Sequence, residues 1–492
     1  MRMHLTRPAP GFRLSPVNTP WTTIETSIRE TLTCDHAHPL LIESFMRHAR
    51  LVFDGTTGMI SRHDITPVDD LPDYEQLGVD EARSGREQLS RVVMIKLNGG
   101  LGTGMGLERA KSLLPVKQGL SFLDIIAKQV LHLREKHKVA LPLLLMTSFS
   151  TDRDTLDALA AYPELLQGQA GLPLTFLQNR VPKLLADSLL PATSPDDPDK
   201  AWCPPGHGDI YTALITSGLL DQLIAQKFRY AFISNADNLG AVIDPVIPGM
   251  MNNRCIPFLL EVADRTEADR KGGHLARSAA NGQLVLRESA QCPDDEKDEF
   301  QDIRKYRYFN TNNLWIDLTA LDELVKTTGA VPSLALMVNR KTLDPRNEAS
   351  PPVVQLETAM GSAVSSFRSA AALRVPRTRF APVKTTDDLL GLWSDAFELT
   401  PEMHIQLTPE RAKQGPPVIK LDPKFFRKID DFSARFPDGA PSLLHCRSLT
   451  VEGDHRFSAG VEISGDVALK NPSPEPAIVP RGRLGTPRPT TA

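Results

Sequence analysis

Long apolar runs are missing. Nothing in the 492 residues approaches the ~18 consecutive apolar residues that a membrane-crossing helix needs, so no membrane span is expected. Cysteine is scarce. Cys34, Cys203, Cys255, Cys292 and Cys446 make an odd count with no CxxC pair, which fits a reducing, cytoplasmic setting better than a disulfide framework. A charge surplus is missing too: the net charge is −4, so nucleic acid is not an expected partner and any phosphate site must be a local feature. The opening MRMHLTRPAPGFRLSPVNTP has basic residues but lacks the apolar core of a secretory signal, and residues 1 to about 20 read as a loose, Pro-rich arm.

What is present is ordinary for a soluble globular chain: 41% hydrophobic and 24% charged residues, over a length that exceeds one small domain. Residues 22–54 carry helical spacing through Ile24, Ile28 and Leu32, then Leu41, Ile42, Phe45 and Met46, whereas 55–85 read as turn-rich and acidic. From residue 91 strand and helix signals alternate. Strands are predicted at Arg91–Leu97, Leu141–Met146, Leu172–Leu177, Arg229–Ser234, Ile256–Val262, Gln283–Arg287 and Leu314–Leu318. Helices are predicted from Ser121, which stands at capping-box spacing from Asp124, near Asp154–Leu166 and near Ala213–Gln226. Such alternation points to an α/β domain with a mostly parallel sheet. Near the end, Val451, Phe457, Ile463 and Leu469 recur every six residues, with Gly453 and Gly465 each two places after an apolar member. That period suggests parallel β-helix coils; two ordinary hairpins are the other reading. The Pro-rich tail after Lys470 reads as disordered.

The strongest chemical signal is Lys96-Leu97-Asn98-Gly99-Gly100-Leu101-Gly102-Thr103-Gly104-Met105-Gly106, directly after a strand. Five glycines in eight residues let backbone N–H groups approach a ligand closely, as phosphate oxygens require, and Lys111 follows to supply a cation. Two familiar phosphate loops are excluded. A P-loop needs Gly before its Lys-Ser, but Ala110 precedes Lys111-Ser112. The dinucleotide fingerprint started at Gly100 or Gly102 ends on Met105 or Leu107 instead of Gly, which makes a nicotinamide dehydrogenase the weakest rival reading.

Three further segments carry chemistry. Ser234-Asn235-Ala236-Asp237-Asn238 sets a carboxylate at the carboxyl end of a strand, where open α/β sheets bind ligands. Asp237 is therefore the candidate Mg2+ ligand, with an Asx-turn cap as the plainer reading. The turn Trp202–Asp209 flanks His207 with Gly206 and Gly208; no second Cys/His pair stands near enough for zinc. Asn310-Thr311-Asn312-Asn313, ahead of the predicted strand Leu314–Leu318, offers amides that both donate and accept, as sugar hydroxyls require.

KLNGGLGTGMG followed by Lys111-Ser112 resembles the signature of the eukaryotic-type UTP–glucose-1-phosphate uridylyltransferases, or UDP-glucose pyrophosphorylases. The resemblance continues through WCPPGHGDIYTALITSGLLD, FISNADNLGAVID, FNTNNLWIDL, QLETAMGSA and VPRTRFAPVKTTDDLL in family order, over roughly residues 90–395, and the hexads extend it to about 470. One departure is Arg109-Ala110, where the family usually has Gly-Pro.

The resemblance implies a Rossmann-like, glycosyltransferase-A-like nucleotidyltransferase domain with a mixed central sheet, plus a C-terminal left-handed parallel β-helix through which copies could self-associate. The boundaries it suggests are a helical or irregular region at 1–85, the catalytic domain at 86–395, the β-helix at 396–470 and the tail at 471–492. It implies conversion of UTP and glucose 1-phosphate into UDP-glucose and pyrophosphate with Mg2+. Lys111, Lys384 and Asp237 would be catalytic, Asp237 holding the metal. Leu97, Asn98, Gly99, Gly100, Lys111, Gln178, Gly206, Asn235, Asp237 and Lys384 would bind nucleotide, Gln178 contacting the uracil. Gly100, His207 and Asn312 would bind the sugar phosphate, with Asn310 or Asn313 as alternatives to Asn312. Rival readings are a pyrophosphorylase for another sugar 1-phosphate, such as a UDP-N-acetylhexosamine or broad-specificity enzyme, and a non-catalytic UDP-sugar-binding relative.

Overall fold

The computed structural model describes residues 18–345 and 347–485. The arm expected at 1 to about 20 therefore lies almost wholly outside the described residues. Contacts divide the described residues into two compact units: those up to Ile95 with Phe176–Ile233 and those from Asp244 to Pro376, and Lys96–Thr175 with Ser234–Ile243 and those from Arg377 onward.

In the first unit the helical spacing of 22–54 becomes two helices, Trp21–Cys34 and Pro39–Phe53. They bury Ile24, Ile28, Leu32, Leu41, Phe45 and Met46 in one cluster with Val181, Leu184, Val354 and Leu356. The central sheet is mixed. Tyr308–Asp317 pairs antiparallel with Tyr230–Asn235, with Phe258–Asp264 and with His274–Ser278, while Phe258–Asp264 pairs parallel with Ala371–Arg374. The mostly parallel sheet inferred from alternation is thus corrected. Alternation reports that strands are separated by helices; it carries no information about direction when connections cross the sheet.

The strand expected at Leu314–Leu318 begins six residues earlier, at Tyr308. The asparagine cluster lies inside it, where the register jumps from Glu261 opposite Asn313 to Val262 opposite Asn310. Asn312 sits in this bulge with φ of 56°, a left-handed conformation that asparagine tolerates. Asparagine is a poor strand former, so propensity alone hides the strand's first half.

A helix at Val79–Gln88 lies in the stretch read as turn-rich. It buries one residue, Gly85, and so carries no apolar stripe. Gly85 meets Gly249 of the helix Val246–Asn253: a Cβ at Gly85 would lie 1.6 Å from the Pro245 carbonyl oxygen, and one at Gly249 would lie 1.9 Å from that of Glu81. The contact is backbone on backbone.

In the second unit the helix Phe122–His137 opens with the expected capping box. The Ser121 N–H donates to Asp124 Oδ2 at 2.8 Å and the Asp124 N–H to Ser121 Oγ at 3.2 Å. The strand Leu143–Thr147 is wholly buried. Towards the end, Val418–Leu421, Ser442–Glu452, Val461–Lys470 and Gly482–Leu484 form one parallel sheet in that order. Val451 stands opposite Leu469, three hexads on, and Phe457 opposite Val479. The segment expected to be structureless after Lys470 is corrected up to residue 485, since Ala477–Val479 and Gly482–Leu484 continue the parallel pairing. Its prolines fall outside those strands, while the backbone between them still finds ladder partners. Residues 486–492 lie outside the described residues.

Gly85→Ala is expected to cost about 3 kcal/mol, because backbone must move, whereas Gly78→Ala at the helix start should cost under about 1 kcal/mol. Denaturant unfolding of the two variants checks this; equal costs would contradict the close helix crossing.

Candidate active site

The glycine-rich loop leaves the strand Val92–Leu97 in the second unit's portion of the chain. Its root is held by side chains. The Asn98 N–H donates to the Met146 carbonyl at 2.7 Å, and the Asn98 amide to Thr155 Oγ1 at 2.8 Å. Thr151 Oγ1 donates to the Asn98 carbonyl at 2.9 Å, and Ser148 Oγ to that of Gly99 at 3.0 Å. Asn98, expected to bind nucleotide, thus turns its side chain to the fold of the loop. Gly102 is left-handed with φ of 70°, and a Cβ there would lie 2.8 Å from Leu107. Gly100 and Gly104 have neither constraint: an added Cβ meets nothing within 4 Å. The chain itself does not require glycine there.

Lys96, the first residue of the motif, is fully buried. Its ammonium donates to Ser234 Oγ and to the Ala241 carbonyl, each at 2.8 Å, and so fastens the loop's root to the Asp237 turn. The Ala236 N–H adds a bond to the Leu97 carbonyl at 3.1 Å.

Lys111 and Asp237, separated by 126 residues, are brought into direct contact: Nζ lies 2.7 Å from Oδ2, both side chains largely buried. Lys111 Nζ also donates to the Val383 carbonyl, and the Val383 N–H to the Asp237 carbonyl at 3.2 Å. Asp237 Oδ1 is buried with no hydrogen-bond partner. Asn238, which sequence reasoning passed over, ties the basic loop down, its amide donating to the Arg379 carbonyl at 3.1 Å and its Oδ1 accepting from the Ala381 N–H at 2.9 Å. Lys384 follows Val383 at once and is exposed; its N–H donates to Asp388 Oδ2 at 2.7 Å, at the capped start of the helix Thr386–Trp393. Asn235 is half-buried at the end of its strand. Among the described residues no group of three or more His, Cys, Asp or Glu side chains could hold a metal ion. A metal here would need ligands from elsewhere, as Mg2+ does when phosphates carry it.

In the first unit the turn around His207 is stapled to Thr358. The Gly208 N–H donates to the Thr358 carbonyl at 2.9 Å, and the Thr358 N–H to that of Pro205 at 3.0 Å. A Cβ on Gly206 would lie 2.5 Å from the Thr358 carbonyl, so packing within the protein already demands that glycine. His207 Nδ1 accepts from the Met360 N–H at 3.1 Å, which leaves the proton on Nε2. Dense surroundings lower its pKa to about 4 although part of the residue reaches the surface. At neutral pH it is a fixed, uncharged donor.

Asn312 is the half-buried member of the asparagine cluster. Asn310 and Asn313 are buried, their amides donating to Asn312 Oδ1 at 2.8 Å and to Glu261 Oε2 at 3.2 Å. Gln178 is half-buried at the end of the strand Thr175–Leu177. The next residue, Asn179, is held by Asp209, a buried carboxylate that no motif reasoning singled out although it directly follows Gly206-His207-Gly208. Burial raises the Asp209 carboxyl to about 7, against hydrogen bonds from Asn179 that lower it.

A glycine-rich loop that leaves a strand of an α/β fold, with a lysine and a carboxylate in contact beside it, suits the handling of nucleotide phosphates, and the class it fits is the nucleotidyltransferases. A family model described as UTP–glucose-1-phosphate uridylyltransferase matches residues 42–464. The chain is similar to the UTP–glucose-1-phosphate uridylyltransferase of Solanum tuberosum, 38% identical over 85% of this chain and 86% of that one. It is also similar to that of Saccharomyces cerevisiae, 40% identical over 80% of this chain and 77% of that one. A Leishmania major UDP-glucose pyrophosphorylase variant, solved in complex with UDP-glucose, superposes with a TM-score of 0.88 at 42% identity, over 94% of this chain and 98% of that one. The chain belongs to the UTP–glucose-1-phosphate uridylyltransferase family.

The unfolded Asp209 carboxyl ionises near 3.8 and the folded one near 7. Between those values the folded state holds the extra proton, so stability falls as pH rises, by on the order of 4 kcal/mol in all, and is lost fully above the folded pKa. The melting midpoint of Asp209→Asn relative to the unsubstituted protein should therefore climb between about pH 4 and about pH 7 and then level. A difference independent of pH would contradict a buried, reluctantly ionised Asp209.

Proposed function

We propose that this chain transfers the uridylyl group of UTP to glucose 1-phosphate, giving UDP-glucose and pyrophosphate. The observation that carries the reading is the Lys111–Asp237 pair at the foot of the glycine loop, with Asp237 Oδ1 buried and unpartnered. A buried carboxylate oxygen with no donor is costly unless a cation meets it. The donor set, a single carboxylate, fits a Mg2+ that would bring phosphate oxygens and water as its other ligands. When bound, Mg2+ supplies charge neutralisation at the phosphate oxygens.

The remaining work falls to the chain. The nucleophile, a phosphate oxygen of glucose 1-phosphate, is already an anion, so no strong general base is needed. It attacks the α-phosphorus of UTP in line and pyrophosphate leaves. Leu97, Gly99, Gly100 and Asn235 hold the nucleotide and its phosphates, with Asn98 keeping the loop in shape. Lys111 is restrained between Asp237 and the Val383 carbonyl, so it offers its charge at a set position. Lys384 has no ion pair among the described residues, and its exposed ammonium serves the charge that develops in transfer. Gln178 and Gly206 contact the nucleoside. His207, a neutral Nε2 donor, and Asn312 serve the sugar phosphate.

The resemblance further supports a Rossmann-like, glycosyltransferase-A-like catalytic domain over 86–395, flanked by a helical region at 1–85. A left-handed parallel β-helix would follow over 396–470, with its parallel pairing running on beyond the tail boundary set at 471. Self-association would run through that β-helix, and the location would be cytoplasmic. No helix among the described residues is long and apolar enough to cross a membrane.

Pyrophosphate release from UTP and Mg2+ with glucose 1-phosphate, galactose 1-phosphate or N-acetylglucosamine 1-phosphate tests the reading. Release is expected with glucose 1-phosphate, and no release with any of the three would refute it. Lys384→Ala should lower turnover by about 10²–10³-fold while changing UTP affinity far less. Comparable turnover in the two proteins would remove Lys384 from the mechanism.

A further inference from the structure

We propose that Lys428, far along the chain from the glycine loop, is a further phosphate-binding residue: its ammonium meets the outer phosphates of the nucleotide at the Gly106 end of that loop. The inference rests on the uridylyl-transfer reading only for the identity of the nucleotide.

Two glycines of the loop are left-handed, Gly102 with φ of 70° and Gly106 with φ of 73°, and each lies under the aliphatic stem of a lysine. A Cβ on Gly102 would stand 3.3 Å from both Cβ and Cγ of Lys111. One on Gly106 would stand 3.3 Å from Cγ, 3.4 Å from Cβ and 3.6 Å from Cδ of Lys428. Nζ is two bonds beyond Cδ, so the charge of Lys428 stays beside the loop while its stem covers apolar backbone. Between the two stems lie Thr103 and Gly104, both exposed, whose backbone N–H groups bond to nothing among the described residues. The two lysines differ in how far they are committed. Lys111 Nζ is held by Asp237 and by the Val383 carbonyl. The Lys428 side chain is exposed, and its ammonium forms no hydrogen bond or ion pair among the described residues.

The fold does not account for that charge. Lys428 is the residue just before the helix Ile429–Arg435 and makes no capping bond with its side chain. The position favours side chains that accept hydrogen bonds, and a cation there opposes the helix dipole. Asp430 and Asp431 in the first turn suit the dipole, but Lys428 pairs with neither. The helix is fastened by other residues. Phe432 is fully buried against Trp393 and Phe436, with ring centroids 5.0 and 4.9 Å apart, and Arg435 donates from Nε and Nη2 to Asp454 at 2.8 Å each. The backbone of Lys428 is therefore fixed beside the loop, and its long side chain is what remains free to meet a ligand. At the other end of the loop the Lys111 N–H bonds to the Gly100 carbonyl at 3.2 Å, next to Asp237. In this arrangement the α-phosphate lies at the Lys111 end, and the β- and γ-phosphates, which carry most of the charge, extend towards Gly106, where Lys428 offsets it.

The test is calorimetric titration with UTP and with UMP, in the presence of Mg2+, of the full-length unsubstituted, Lys428→Met and Lys428→Arg proteins, beside pyrophosphate release with sugar 1-phosphates. Methionine keeps an unbranched stem over Gly106 and removes the charge, whereas arginine keeps the charge. Lys428→Met should weaken UTP binding about tenfold and UMP binding less than about twofold, and Lys428→Arg should bind UTP within about twofold of the unsubstituted protein. A stem that merely packs on the loop would leave Lys428→Met binding UTP as the unsubstituted protein does, and that result overturns the proposal. Equal losses for UTP and UMP overturn it as well, because Lys428 would then not be meeting the outer phosphates. So does a loss in Lys428→Arg as large as in Lys428→Met, because charge would then not be what matters. If UTP binding weakens as expected while no sugar 1-phosphate yields pyrophosphate, Lys428 keeps its assignment and the transfer reading alone fails. Pyrophosphate release with unaltered UTP binding in Lys428→Met leaves the transfer reading standing and refutes this one.

Discussion

The contact between Lys111 and Asp237 is the constraint around which the glycine loop and the turns beside it are arranged. It joins the end of the glycine loop to a turn 126 residues later, and the Val383 carbonyl and N–H bond to the two partners in turn. Lys384 is set down next to that junction. Asn238 then fixes the basic loop, and Lys96 and the Ala236 N–H fix the loop's root. The pair is largely buried, so the cost of desolvating its two charges offsets much of their attraction. In the proposed reaction it would keep a positive and a negative group side by side, each needing a different partner once phosphates arrive.

The same economy recurs at His207 and Asp209. His207 is made neutral by its surroundings and fixed by the Met360 N–H, so it donates without adding charge. Asp209 is buried where ionisation is disfavoured, its carboxyl pushed up to about 7. Groups held at such cost to the fold gather where binding and chemistry need them oriented.

Much of this was legible in the sequence, and the parts that were not failed for definite reasons. The strand before the glycine loop, the Ser121 cap and the two N-terminal helices announced themselves by apolar period and capping chemistry. The helix Val79–Gln88 did not, because it packs through Gly85 and hides no apolar stripe. The strand Tyr308–Asp317 was half seen, because a bulge of asparagines breaks the two-residue alternation. Lys111, Asp237 and Lys384 could be picked as chemical groups, but their meeting through Val383 is tertiary information. Asn238 and Asp209 stood beside residues that were noticed; what they do depends on a loop far away in the chain, which no local pattern records. Gly206 could be seen only as a flank of His207, while the fold shows Thr358 already requiring glycine there.

The most direct measurement is the rate of pyrophosphate release by Asp237→Asn across a Mg2+ titration with UTP and glucose 1-phosphate. The amide keeps the shape and a hydrogen bond near Lys111 but removes the charge that Oδ1 offers a metal. A loss of about 10²-fold or more that saturating Mg2+ does not restore is the expected result. An unsubstituted rate, or full recovery at high Mg2+, would contradict the account of Lys111 and Asp237 as the working centre of the protein.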